Sequence, residues 1–238
     1  MNESERQGTG GPVASLRGFL ATLGQDWRSM WNRPEDRLAA KVLIASVLLL
    51  IVYALWGRPF FINANLPAVA AWLGLNADHE FYSTVPYMYW GVSSLVIRIL
   101  LPLLVIVVWI GGRPSDFGYR LRGVTSHAWL YLLMFLVMLP LLVAASYMPA
   151  FQAKYPMYQG AARNLTHFGL WELAYGVQFL GVEGFFRGFM TFGLYPRFGY
   201  LSLFIMVIPY ALVHVGKPPI EVFMAVPAGL LLGYVALK

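Results

Sequence analysis

Long uninterrupted apolar runs alternate with short polar segments along this chain of 238 residues. The runs are about 20 residues each, the length a helix needs to cross a bilayer. They predict spans over Ala39–Trp56, within Tyr87–Ile110, and over His127–Tyr147, Phe168–Leu194 and Leu201–Val215. A sixth starts near Pro219 and is still running at Lys238. None alternates with a period of two, so helices are expected, not barrel strands. Pro140 should kink the third span, where it removes a backbone donor. The fold class expected is all-α: a polytopic transmembrane bundle of about six spans.

The polar stretches differ among themselves. Residues 1–12 are polar and glycine-rich and are expected to be disordered. In Val13–Trp31, by contrast, Val13, Leu16, Phe19, Leu20, Leu23, Trp27, Met30 and Trp31 recur every three or four positions, with Arg17, Asp26 and Arg28 between them. That is an amphipathic helix, suited to lying on a membrane surface or against the underside of the bundle. Pro34 should end it. Between the first two spans, Ala68–Leu75 reads as a short interfacial helix. The chain thus divides into a tail with its amphipathic helix (1–38), the first two spans and their loop (39–110), and the remainder (111–238).

Composition agrees with this reading. Hydrophobic residues make up 59% and charged residues 12%, against about half and a quarter in soluble domains. The net charge of +6 does not point to nucleic acid, because six of the 17 basic residues lie in the first 41 positions, before or at the start of the first span. With the N-terminus inside, ten basic residues fall in inner segments and four in outer ones, so a cytoplasmic N-terminus is expected. The polar N-terminus shows no cleavable signal. A multi-pass protein of the inner (plasma) membrane follows. The absence of cysteine excludes disulfides, iron–sulfur clusters and thiolate catalysis, and four histidines argue against a dense metal site.

Ionisable groups inside spans are costly and usually functional. Arg98 lies in mid-run in the second span, where an interior partner or a snorkelled side chain accounts for it ahead of a place in the lining of a site. The fourth span is richer. At 100° per residue, Glu172, Gly176, Phe179, Glu183 and Arg187 fall within about 40° of their mean direction. Glu183 and Arg187 stand at i, i+4 in the order that favours an ion pair. Such a pair is either structural or a means of keeping a carboxylate charged for base catalysis. His214 follows near the end of the fifth run, on a chain that returns antiparallel, and imidazole beside carboxylate suits a general base or a metal ligand. Glu221 falls in the first turn after Pro219, where the helix dipole favours an anion. Lys217 is placed to pair with it or to serve as an interfacial cation.

These residues carry a resemblance. Val182-Glu183-Gly184-Phe185-Phe186-Arg187-Gly188 resembles the first motif of the CPBP family, the CAAX-type prenyl-protein proteases with bacteriocin-processing and immunity proteins. That motif is usually Glu-Glu-x-x-x-Arg. Tyr210-Ala211-Leu212-Val213-His214 resembles the second, Phe-x-x-x-His, and Asp116-Phe117-Gly118 looks like the stretch ahead of the core domain. The likeness covers residues 111–238. It departs from the pattern at Val182, where the first glutamate usually stands, and at Tyr210. The third motif is expected after the sixth span, so the core reads as truncated before it.

The resemblance implies an intramembrane endopeptidase acting on a membrane-embedded or lipidated protein or peptide, with Glu183 and His214 activating a water. Arg187 would hold Glu183 charged, and Glu221 would supply a second carboxylate. Many members of the family are described as metal-dependent. A divalent ion such as zinc would take His214 and Glu183, while the glutamate serves equally as a base without one. The alternative expected from Val182 is a pseudoprotease that scaffolds membrane proteins or confers immunity. A small transporter relaying protons through Glu183 and Arg187 ranks below both.

Overall fold

The computed structural model describes residues 12–120 and 128–238, and every regular element among them is helical. The glycine-rich tail, Arg122 and the His127 start of the third run lie outside the described residues. Helix α1 is Pro12–Met30, α2 is Pro34–Trp56 and α3 is Tyr82–Ile110. Helix α4 is Ala128–Ser146. Helix α5 runs over 165–198 as an α-helix (Leu165–Glu183), a π-helical stretch (Gly184–Met190) and a last α-helical piece (Thr191–Phe198). Helix α6 is Leu201–Leu212 and α7 is Pro219–Ala236.

Among the described residues, four helical segments are long and apolar enough to cross a membrane: Pro34–Ala64, Tyr82–Ile110, Ala128–Ser146 and Pro219–Ala236. The first joins α2 to the short helix Pro59–Ala64. Helix α5 is long enough, but Glu172, Gln178, Glu183 and Arg187 interrupt its apolar run. Helix α6 is apolar but short.

Several boundaries differ from the sequence reading, each for a local reason. Pro34 begins α2 rather than merely ending α1. It takes the first helical turn, where a missing N–H costs nothing, and Glu35 and Asp36 follow at the positive end of the dipole. Helix α5 starts at Leu165 because the Asn164 side chain accepts the His167 N–H at 3.0 Å. Helix α6 ends at Leu212, and Gly216 takes a φ of +96° in the turn after it, a conformation natural to glycine. His214 therefore stands in the α6–α7 turn.

The ends of the helices sort into two groups. Lys41 on α2 donates to the Trp109 carbonyl near the end of α3 at 2.6 Å, and Asp36 pairs with Arg197 at the end of α5. At the other end, Tyr89 and Ser93 on α3 donate to the carbonyls of Trp56 and Gly57 just past α2. Tyr87 likewise donates to the Met157 carbonyl at 2.7 Å. Helices α3 and α5 pack most closely, over small residues. A Cβ on Gly181 would overlap the Ser94 hydroxyl and stand 3.0 Å from the Ser94 carbonyl oxygen, so only glycine fits there.

The core forms around the π-helical stretch. Phe185, Phe186, Phe189 and Leu194 are fully buried against Val42 of α2, Ile106 of α3 and Met206 of α6. Side chains also bond to carbonyls of this stretch: Tyr119 donates to the Gly184 carbonyl at 2.9 Å, and the Thr191 hydroxyl to that of Phe186 at 2.8 Å, beside the Thr191 backbone N–H. Phe117, in the turn after α3, stacks on Phe189. Arg98 is buried with its guanidinium 3.5 Å from the centre of the Tyr53 ring, so its interior neighbour is an aromatic face.

Candidate functional site

Glu183 and Arg187 flank the start of the π-helical stretch. The Arg187 guanidinium is 3.4 Å from the Glu183 carboxylate, with the arginine side chain 6% exposed and the glutamate 29%. The contact is an ion pair without a well-formed hydrogen bond, and all three guanidinium nitrogens lack a hydrogen-bond partner. Compensation comes from α6. Tyr210 presents its ring face to Arg187, with the guanidinium carbon 3.9 Å from the ring centre. A desolvated cation on an aromatic face is stabilised by about 2 kcal/mol.

Tyr210 also fixes His214. The two rings lie 4.6 Å apart, and His214 Nδ1 is 2.8 Å from the Tyr210 carbonyl oxygen. A carbonyl only accepts, so Nδ1 carries the proton. In the neutral ring Nε2 is then left as the proton acceptor. The structure thus joins Glu183, Arg187, Tyr210 and His214 in one contact path. Among the described residues, Glu183 and His214 themselves share neither a hydrogen bond nor an ion pair.

Glu221 stands at the start of α7, within electrostatic reach of His214, and both of its oxygens are engaged. Lys217 Nζ donates to one at 2.5 Å and the Tyr155 hydroxyl to the other at 2.6 Å. Burial, together with the Glu221 carboxylate, pushes the Tyr155 phenol above its ordinary value, so Tyr155 remains a donor. This triad ties the segment after α4 to α7. Val182 is buried in the core, so no second carboxylate adjoins Glu183 there.

A cleft of about 970 Å³ opens beside these groups, between α4, the segment after it, α5 and α7. Trp171, Glu172, Tyr175, Tyr155, Glu221 and Met224 line it, with apolar residues of α4 opposite. Tyr175 connects cleft and path, being within electrostatic reach of Glu172, Glu221 and Tyr210. Sequence reasoning missed Tyr155 and Tyr175. Tyr175 stands one turn beyond Glu172 on the same helix face, a signal legible in the spacing. Tyr155 sits in a connecting segment with no periodicity to mark it.

A metal is implied for the family by the resemblance. Among the described residues no group of three or more His, Asp or Glu side chains converges. Glu183 and His214 are two candidate ligands where a catalytic metal takes three from the protein, so these residues do not make a fitting ligand set. No family model matches the chain, and no curated protein or solved structure aligns with it.

Proposed function

We propose that this protein crosses a plasma membrane six times, with α2–α7 as the spans, and acts as an intramembrane endopeptidase of the CPBP type. In this reading α1 lies at the cytoplasmic surface: Leu16, Phe19, Leu20, Leu23 and Trp27 are all exposed, which suits contact with lipid. The excess of basic residues at the end holding Arg33, Arg37, Lys41, Arg113 and Arg197 makes that end cytoplasmic. Helix α5, despite its polar residues, spans because Arg187 turns inward onto Tyr210.

The observation that carries the catalytic reading is the orientation of His214. Its Nδ1–H is committed to the Tyr210 carbonyl, which leaves Nε2 to accept a proton from water. Glu183, paired with Arg187, orients that water through its free carboxylate oxygen and offsets the positive charge as the imidazole protonates. The resulting hydroxide adds to a peptide carbonyl, and the His214 proton passes to the leaving amine. Glu221 orders the entrance by holding Tyr155. The substrate is a membrane-associated protein or peptide.

A scaffold without catalysis is the second reading, favoured by Val182, whose burial leaves Glu183 as the lone motif carboxylate. Reconstitution in vesicles with a membrane-anchored reporter separates the two. The peptidase reading expects a new N-terminus by mass spectrometry, lost in His214→Ala. Binding of the reporter without any new terminus would establish the scaffold.

A further inference from the structure

The cleft has a charge that the Glu183–His214 path does not use. Its walls are largely apolar, with Met138 and Leu142 of α4 facing Trp171 and Met224. Two carboxylates line it. Glu221 is neutralised by Lys217 and capped by Tyr155. Glu172 makes no ion pair or hydrogen bond among the described residues. The cleft therefore presents one uncompensated negative charge in an apolar wall. Its complement is an occupant with an apolar body and a single cation.

Position narrows the occupant further. Glu172 and Tyr175 share a face of α5, and Tyr175 is within electrostatic reach of Tyr210, the residue that holds His214. An extended chain anchored at Glu172 continues past Tyr175 toward that path, whereas a compact amine ends at the carboxylate. An anionic lipid headgroup would be repelled. We infer that the cleft binds a polypeptide segment in which one lysine or arginine is flanked by apolar residues, its cation paired with Glu172. This names the substrate class of the proposed peptidase. Hydrolysis of the bound segment rests on that reading, but the binding itself does not.

The test uses the full chain in nanodiscs of zwitterionic lipid and a fluorescent leucine–alanine peptide with one central lysine. A second peptide carries norleucine in its place. The lysine peptide should bind roughly tenfold tighter, the scale of a partly desolvated charge-assisted contact. Glu172→Gln should bring the two peptides to equal affinity, and Glu172→Asp should retain most of the preference. Ala145→Trp, which fills the cleft from α4, should weaken both. Equal binding to wild type, or a lysine preference that survives Glu172→Gln, overturns the assignment. A lysine preference in a protein that cleaves nothing overturns the hydrolysis reading and leaves this one standing.

Discussion

Arg187 lays its guanidinium on the ring of Tyr210, 3.9 Å from the centre. The arginine is buried, its carboxylate partner is only partly so, and no hydrogen bond completes the set. The aromatic face is therefore part of what makes a buried cation tolerable in α5. Because Tyr210 also holds His214 through its carbonyl, one residue of α6 supports both halves of the path.

Arg187→Leu should cost about 3 kcal/mol, the lower end for breaking a buried pair, since Glu183 retains 29% exposure. Tyr210→Phe keeps the ring and should change stability little. Tyr210→Leu removes the ring and should cost about 2 kcal/mol through the lost cation–π contact alone, before any cavity. Thermal unfolding in detergent ranks the three. Equal melting of Tyr210→Leu and Tyr210→Phe would mean that the ring does not support Arg187.

Gly181 sets how closely α3 and α5 approach. Gly181→Ala should destabilise by about 1–3 kcal/mol through overpacking against Ser94. Adding Ser94→Ala removes the overlapping hydroxyl but not the carbonyl oxygen at 3.0 Å, so rescue should be partial. Full rescue would show that the two backbones can separate at no cost, contrary to a close approach fixed by glycine.

Glu221 joins the segment after α4 to α7. Tyr155→Phe deletes one charge-assisted hydrogen bond, worth about 1.5–3 kcal/mol, and should raise amide exchange across residues 150–157 with little change elsewhere. Glu221→Gln should do the same while slowing cleavage far less than changes at His214. A loss of activity on the scale of His214→Ala, without faster exchange, would make Glu221 a catalytic carboxylate instead.

Much of this arrangement could be read from the chain, and the limits have physical causes. The i, i+4 spacing of Glu183 and Arg187 survives the change to π-helical geometry, because the two flank its first turn. The single stripe from Glu172 to Arg187 does not survive as one environment. Phe179 is exposed and Arg187 buried, since helix neighbours differ along α5 and the π-turn rotates the residues beyond it. Periodicity cannot report that rotation, because nothing in the local composition distinguishes the wider π-turn from an ordinary α-helical one. The apolar runs located α2, α3, α4, α5 and α7, yet α6 is shorter than its run because Gly216 and the prolines after it turn the chain. Tyr155 and the cleft it borders depend on contacts between distant segments, which spacing alone does not encode.

The most direct measurement is a double-mutant comparison of cleavage rates in reconstituted vesicles. General-base assistance typically contributes about 10²–10⁴ in rate. Glu183→Gln and His214→Ala should each lose activity on that scale. The double mutant should lose little more than either, because groups acting on one water are not additive. Full activity in Glu183→Gln, or losses that multiply in the double mutant, would contradict a shared role for the two residues in activating water.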